Sequence, residues 1–272
     1  MFLQKLKSTY HQYKSVRNSL KFNATHKKAF TLTEMEQKYL NEIREKGYAV
    51  VENYYSKEEC EAVIKEIDRL FAEYPQYQWK DPYDADHRIY GANRISPIIR
   101  KFYDDPFLNK MASAFNEMET INNHTLVGRI EAKEKNIGSG QGWHRDSVSP
   151  YQFKSLMYLT DVDADHGPFE YLEGTHKISS LFHGIWKVGT KQKQYRITEE
   201  EIDGFVKTGK YKRSVLTGKA GTLVLVNTFG IHRGTPINKG VRYALTNYFY
   251  NKFGLKDTYF EGKFNLPPKN AD

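Results

Sequence analysis

The sequence is poor in cysteine and contains no long apolar run. Cys60 is the one cysteine among 272 residues, so the chain can form neither an intramolecular disulfide nor a cysteine-rich zinc site. No run approaches the roughly 18 apolar residues that span a bilayer, and the N-terminus lacks the apolar core of a secretory signal. These absences predict a protein of a reducing, cytoplasmic compartment, with peripheral attachment to a membrane left open.

Acidic residues are missing from the first 30 positions, which accounts for most of the net charge of +8. The basic residues of that segment are Lys5, Lys7, Lys14, Arg17, Lys21, Lys27 and Lys28. Removing these seven from the total of 41 leaves 34 basic against 33 acidic residues, so the rest of the chain is almost neutral. A nucleic-acid surface would interleave basic and aromatic residues around the site, and the observed distribution therefore argues against a nucleic-acid partner.

Residues 1–30 have the pattern of a basic amphipathic arm. Apolar side chains recur at spacings of three and four, which places them on one face of a helix with lysines around the rest. They are Leu3, Leu6, Tyr10, Tyr13, Val16 and Leu20. Three interpretations remain open: the helix packs on the body, residues 1–28 attach to an anionic membrane surface, or the arm has a partner or targeting role.

Residues 31–272 are expected to form one domain whose helical part covers 31–119. Helical patterns extend over 31–47, from Ser56 onward and over 106–117, and a further helix is expected near 85–104, with Arg88, Arg94 and Arg100. Ser56 is followed three residues later by Glu59, the spacing of a capping box. The short run 48–51 is strand-like.

The core at 120–250 is expected to be mainly β. Short runs rich in β-branched and aromatic residues occur at 124–132, 154–160, 168–172, 222–228 and 241–250, separated by turns. This pattern predicts an antiparallel sandwich or barrel with the early helices on one outer face. Residues 181–213, with a capping box at Thr198 and Glu201, are too long for a simple connection and are expected to form a lid-like insertion.

A pair of metal-binding residue types lies in Gly140-Gln-Gly-Trp-His-Arg-Asp-Ser147. His144 and Asp146 are two residues apart, so on an extended chain both side chains project from one face and can reach one ion. A His-x-Asp pair is weak evidence by itself. A third ligand is needed, and the candidates are His166, His176 and His232.

Sequence context separates the three histidines. His232 follows the apolar segment 221–231 and is expected at the end of a buried strand, whereas His166 and His176 lie in turn-like sequences typical of solvated or structural histidines. Two imidazoles and one carboxylate form the facial triad of non-haem iron(II) oxygenases, which leaves positions open for co-substrate and oxygen. Ten residues beyond His232, Arg242 offers a guanidinium fork suited to a carboxylate.

Taken together, these motifs resemble the phytanoyl-CoA dioxygenase family. The resemblance rests on Trp143-His-Arg-Asp146, His166-Gly-Pro168, Glu173-Gly-Thr-His-Lys177, Ala220-Gly-Thr-Leu-Val224, His232-Arg-Gly-Thr-Pro236 and Arg242. It implies a double-stranded β-helix, a cupin-like jelly roll, that binds iron(II) through His144, Asp146 and His232. It also implies 2-oxoglutarate held by Arg242, and O2 as the other co-substrate.

The reaction implied by the resemblance is hydroxylation of an unactivated C–H bond with release of succinate and CO2. Retention of Asp146 favours hydroxylation over halogenation, because related halogenases have a small residue there. Gln141 and Tyr158 are further candidates for holding the co-substrate. The substrate is expected to be a small molecule or a lipid- or glycan-linked compound. Two alternatives are a non-catalytic metal-binding sensor of the same fold and a nucleic-acid demethylase of the same mechanism.

Overall fold

The structure, a computed structural model, describes residues 2–148, 150–252 and 264–268. The helices are α1 (Phe2–Thr25), α2 (Glu34–Lys46), α3 (Lys57–Glu73), α4 (Pro97–Tyr103), α5 (Pro106–Asn116), α6 (Ser179–His183) and α7 (Glu199–Val206). The strands are β1 (Tyr48–Val51), β2 (Gln78–Lys80), β3 (Asp86–Tyr90), β4 (Thr120–Glu131), β5 (Phe153–Tyr158), β6 (Phe169–Glu173), β7 (Lys212–Leu216), β8 (Leu223–Asn227), β9 (His232–Gly234) and β10 (Val241–Asn251).

The helices begin where the sequence provides side-chain caps. Ser56 and Glu59 form the predicted capping box at α3, and Thr198 and Glu201 form the predicted one at α7. Thr33 forms a further box with Glu36 at the start of α2, which we did not predict. Each box satisfies backbone N–H groups that the first helical turn leaves without partners.

Two antiparallel sheets form the β core. The larger sheet has the order β1-β8-β5-β10-β4-β3-β2, and the smaller one the order β7-β6-β9. Backbone bridges from His144 to His232 and to Arg196 extend the smaller sheet beyond β9. The two sheets face each other as a jelly roll, with α2 to α5 on the outer face of the larger sheet, so the predicted fold class is confirmed.

Side-chain alternation in the larger sheet separates the hydrophobic core from the interior of the jelly roll. Odd-numbered residues such as Val127, Met157 and Leu225 pack against α2 to α5 in the main apolar cluster. Even-numbered residues such as Leu156 and Thr246 project toward the smaller sheet and line a cavity. The site therefore lies between the sheets, on a wall whose opposite face is fixed by the helical layer.

The insertion 181–213 is anchored to the body beside the smaller sheet. Ile197, Ile202 and Phe205 are buried in an apolar cluster with Trp143. Ile197 donates its N–H to Trp143 O at 3.0 Å, and Tyr195 O accepts from Arg145 N–H at 2.9 Å. Residues 195–197 therefore run antiparallel to residues 143–145, and Tyr195 and Arg196 form one side of the cavity.

Two local predictions were wrong. Residues 85–104 are not one helix, because Asp86–Tyr90 pairs with β4 as strand β3 and only Pro97–Tyr103 is α-helical. His232 does not end the preceding apolar strand. β8 stops at Asn227, the chain crosses to the smaller sheet, and His232 begins β9. Both corrections depend on strand partners distant in sequence, which local patterns do not contain.

Helix α1 packs on the body, and Val16, which was predicted to share a face with the other five apolar residues, lies instead on the packed side. Val16 contacts Val148, Leu181 and Phe229, while Thr9 Oγ1 accepts a hydrogen bond from Trp186 Nε1 at 2.9 Å. The apolar stripe, defined as Leu3, Leu6, Tyr10, Tyr13 and Leu20, remains exposed to solvent. Among the described residues, no helix combines the length and the apolar composition needed to cross a membrane.

Candidate metal and co-substrate site

His144 is held in an extended segment that pairs on both sides. Its backbone exchanges two hydrogen bonds with His232, each of 2.9 Å, and it forms a second bridge to Arg196. A tight turn precedes it. Gly140 has φ +82°, and a Cβ there would lie 2.5 Å from His144 Cε1, so a glycine lets the backbone approach the imidazole.

Both imidazoles are oriented by the backbone. His144 Nδ1 donates to Gly142 O and His232 Nδ1 donates to Gly230 O, each at 2.9 Å. Because Nδ1 carries the proton in each ring, Nε2 retains its lone pair. This arrangement is typical of metal-binding histidines, whose second nitrogen donates to a carbonyl or carboxylate.

The Asp146 carboxylate faces both Nε2 atoms. Asp146 Oδ1 lies 3.8 Å from His144 Nε2, and Oδ2 lies 4.0 Å from His232 Nε2. One ligand atom from each residue lies within 4.8 Å of the other two, which makes this set able to hold a metal ion. The structure thus brings together the three residues that the sequence selected.

The electrostatics of this set suit a divalent cation. Burial lowers the pKa of both imidazoles, that of His232 to about 3, so the rings are neutral at pH 7. Burial also acts to raise the pKa of Asp146, but Lys154 and the two histidines outweigh it and hold the carboxyl pKa below its ordinary value. Neutral imidazoles with an ionised carboxylate are the protonation states that ligate a metal.

Arg242 enters the same cavity from β10. Its side chain is 5% exposed, Nη1 donates to Gly167 O, and no carboxylate pairs with it within the described parts of the chain. Nε is buried without a hydrogen-bond partner. Burial lowers the pKa of this guanidinium, as expected for a cation without a counter-charge. A buried fork with a free donor fits the carboxylate of a ligand.

Tyr158 and Gln141, the two other co-substrate candidates, have different surroundings. The Tyr158 hydroxyl donates to Leu216 O at 2.8 Å and accepts from Phe169 N–H at 2.9 Å, so it is already engaged in the backbone of the core. Tyr158 is nevertheless close enough to Arg242 for each to affect the other's pKa, against the larger effect of burial. Gln141 is exposed on the tight turn before His144, at φ +58°.

The rejected histidines lie apart from the triad. His166 Nδ1 forms a 2.6 Å pair with Asp163 in an exposed turn, and His176 Nε2 donates to Arg44 O at 3.2 Å. Neither lines the cavity around the triad.

The sequence did not indicate that three further residues, Lys154, Arg88 and Arg196, belong to the site. Lys154 Nζ lies 2.7 Å from Asp146 Oδ2 and 4.0 Å from the centroid of the Tyr248 ring. Arg88 and Arg196 line the same cavity of about 770 Å³. Lys154 shares the even-numbered alternation of β5 with Leu156, a signal that could have been read once β5 was oriented by its neighbours.

Comparison with known proteins adds the family to this geometry. The model of the phytanoyl-CoA dioxygenase family matches residues 43–242, which is most of the chain and contains the triad and Arg242. An ectoine dioxygenase of Bordetella parapertussis is 21% identical over 243 residues, covering 82% of this chain and 77% of that protein.

Solved structures share the fold at low identity. The epimerase SnoN, in complex with Fe3+, α-ketoglutarate and nogalamycin RO, superposes with a TM-score of 0.63 at 18% identity, covering 88% of this chain and 92% of that one. EctD from S. alaskensis, with 2-oxoglutarate and 5-hydroxyectoine, gives 0.62 at 16% identity, covering 82% and 79%. The chain therefore belongs to the phytanoyl-CoA dioxygenase family, and with it to the iron- and 2-oxoglutarate-dependent oxygenases.

Proposed function

We propose that this protein is an iron(II)- and 2-oxoglutarate-dependent dioxygenase that hydroxylates an unactivated C–H bond of a small-molecule, lipid-linked or glycan substrate, releasing succinate and CO2. The observation that carries the proposal is the convergence of two neutral imidazoles, one carboxylate and a buried guanidinium without a counter-charge on one cavity. A cation site beside an unpaired arginine is the arrangement that a chelating dicarboxylate requires.

In this proposal His144 and His232 bind iron(II) through Nε2, and Asp146 binds it through its carboxylate. Iron(II), 2-oxoglutarate and O2 supply the oxidising chemistry when bound. The remaining work falls to this chain: backbone carbonyls fix the two imidazoles, and the cavity walls position the substrate and limit the access of water.

Arg242 is proposed to bind the distal carboxylate of 2-oxoglutarate. Its Nε would gain the partner that it lacks, which is favourable because a buried donor without a partner costs about 1–3 kcal/mol. We assign Tyr158 a positioning role beside Arg242. Gln141, on the turn before His144, is the weaker candidate for co-substrate contact because its side chain is exposed.

Two alternatives differ in what they require of the cavity. A non-catalytic sensor would use the triad and leave Arg242 without a ligand. A nucleic-acid demethylase would need a basic and aromatic surface that extends well beyond the cavity, along the course of a bound strand. The basic excess of the sequence instead lies in the first 30 residues, and α1 carries most of it.

Anaerobic spectroscopy separates the oxygenase from the sensor. Iron(II) plus 2-oxoglutarate should produce a weak visible charge-transfer band in the wild-type protein, and oxygen should then yield succinate. Arg242→Ala should lose the band at 2-oxoglutarate concentrations that saturate the wild type, while Arg242→Lys should retain part of the affinity because it keeps the charge without the fork. A wild-type protein that binds iron but gives neither band nor succinate would refute the proposed function. Identification of the product is essential, since a similar fold serves the epimerase SnoN.

We further propose that α1 attaches the enzyme to an anionic membrane surface. The apolar stripe is exposed, with Leu3 at 73% and Tyr10 at 63%, although the opposite side of the helix is packed on the body. The exposed basic residues Lys7, Lys14, Arg17 and Lys21 flank this stripe. Apolar side chains next to cations match the interface of an anionic bilayer, where a lipid- or glycan-linked substrate would be concentrated.

A further inference from the structure

The cavity around the triad has an excess of positive charge. The described residues that line it include the cations Arg88, Lys154, Arg196 and Arg242, whereas Asp146 is its one carboxylate. An adjoining cavity of about 530 Å³ shares Arg88, Arg196 and the aromatic residues Tyr90 and Phe264, and none of its described lining residues is acidic. The two cavities form one path that leads from the triad toward solvent.

Most of these charges have a partner, or acquire one in the proposed enzyme. Arg88 donates from Nε to Asp86 Oδ1 at 2.9 Å, and Nη2 pairs with the other oxygen of that carboxylate. Iron(II), Asp146, dianionic 2-oxoglutarate and Arg242 together sum to zero. Lys154 and Arg196 are left, so the path retains an excess of about two positive charges once the co-substrate is bound.

Arg196 lies where the two cavities meet. Nη1 donates to the backbone oxygens of Gly140 and Gln141, the latter at 3.1 Å, and no carboxylate of the described residues forms an ion pair with it. Its side chain is exposed, so a ligand entering from solvent can reach it. The backbone bridge between Arg196 and His144 holds the residue that carries this guanidinium next to the triad.

Aromatic side chains line the same path. Tyr90 and Phe264 stack with ring centroids 4.4 Å apart and an interplanar angle of 13°. The Arg88 guanidinium lies over Trp79 at 5.0 Å, which adds a second planar surface to the outer cavity. Such walls favour a planar or apolar organic body over a strongly hydrated one.

We propose that the substrate is an organic anion, with a phosphate or carboxylate bound by Arg196 and an apolar or planar body lying along Tyr90 and Phe264. Lys154 adds positive potential from the inner end of the path. The inference rests on the proposed function, because the neutral balance at the triad assumes iron(II) and 2-oxoglutarate. It goes beyond that function by giving the substrate a charge and a point of attachment.

The test uses the full-length protein with iron(II) and 2-oxoglutarate under anaerobic conditions, and calorimetric titration with phenyl phosphate. The matched neutral probe is phenyl β-glucoside. Phenyl phosphate should bind, should weaken as salt is added, and should bind at least about tenfold more tightly than the glucoside, since a hydrogen bond to a charged group contributes about 1.5–3 kcal/mol.

Arg196→Gln should weaken phenyl phosphate binding by about tenfold or more, and Arg196→Lys should recover part of the loss because the charge returns without the fork. Lys207→Gln is the control, because it removes an exposed cation that lines neither cavity. Circular dichroism and thermal unfolding establish that each variant folds. A short-chain phosphatidic acid below its micelle concentration, compared with phenyl phosphate, distinguishes a lipid phosphate from a soluble one.

The outcomes distinguish this inference from the proposed function. If the wild type shows the charge-transfer band but binds phenyl phosphate no better than the glucoside, the anionic substrate is wrong and the oxygenase stands. Unchanged affinity in Arg196→Gln would equally overturn the assignment of Arg196. A wild type that binds iron but gives neither the band nor succinate refutes the proposed function instead.

Discussion

Backbone pairing, rather than sequence proximity, creates the triad. His144 and Asp146 project from one extended segment, and His232 reaches them because the two histidine backbones hydrogen-bond to each other. The sequence could select these residues from their types and spacing. It could not reveal Lys154, whose contact with Asp146 depends on the register between β5, β8 and β10.

At the triad, alanine in place of His144, Asp146 or His232 should abolish iron-dependent formation of succinate, because each substitution removes one of the three proposed ligands. His166→Ala is the matched control, since that imidazole pairs with Asp163 in an exposed turn away from the cavity. Succinate should be measured together with iron content and thermal unfolding. Full activity in His232→Ala alongside loss in His166→Ala would show that the third ligand is misassigned.

The buried imidazoles should also make the metal-free protein sensitive to acid. Burial lowers the pKa of His232 from 6.5 to about 3. Below pH 6.5 this imidazole is therefore protonated in the unfolded chain but stays neutral in the folded protein. The stabilisation present above pH 6.5 is therefore lost as pH falls, by about 2 kcal/mol at pH 5 for one such group.

His232→Gln should reduce this loss between pH 7 and pH 5, measured by denaturant unfolding without metal. His11→Gln, at an exposed position of α1, should behave as the wild type does. Identical pH dependence in His232→Gln and the wild type would mean that His232 is not buried in the metal-free protein.

At the scale of helices and strands, local signals gave the sites of α3 and α7 and the five long β runs. Capping boxes need only residues three positions apart, and alternating runs need only their own side chains. The strands β2, β3, β7 and β9 were missed because they lack the apolar run that marks the equally short β1, β6 and β8, and are defined by their partners. The predicted helix at 85–104 failed for the same reason.

The capping box of α7 should matter to the site beyond its contribution to stability. Thr198 follows directly after the 195–197 segment that carries Arg196 and pairs with Trp143 and Arg145. Thr198→Ala and Ser56→Ala should each lower the free energy of unfolding by about 1 kcal/mol, since each removes the N-cap side chain of one helix.

Only Thr198→Ala should in addition weaken phenyl phosphate binding, because fraying of α7 loosens the segment beside His144. Urea unfolding and calorimetric titration of both variants measure the two effects separately. If both variants lose ligand affinity equally, the effect is one of general stability and the insertion does not hold the site.

At the scale of the whole molecule, the arm is linked to the site through the packed face of its helix α1. Its inner face reaches Val148 and Phe229, and Phe229 O accepts a hydrogen bond from Arg145, which lies between His144 and Asp146. Deleting the arm would therefore expose apolar residues behind the triad. Substitutions on the outer face of α1 can test membrane attachment without disturbing that packing.

Wild-type protein should co-sediment with phosphatidylglycerol vesicles at low salt and should not bind neutral phosphatidylcholine vesicles. It should be released at about 0.5 M salt, because each lysine or arginine near an anionic surface contributes about 1 kcal/mol to the binding free energy before screening. The triple variant Leu3→Gln, Leu6→Gln, Tyr10→Gln keeps every positive charge. It should bind on the order of 100-fold more weakly, since the transfer of each apolar side chain from water into the bilayer interface contributes to the binding free energy. Met35→Gln, Tyr83→Gln, Val215→Gln is the matched control, with three exposed apolar residues removed elsewhere. Unchanged succinate formation in solution by the stripe variant would assign its loss of binding to the surface of α1. Equal sedimentation of the stripe variant and the wild type would mean that charge alone attracts the protein and that the exposed stripe has another occupant.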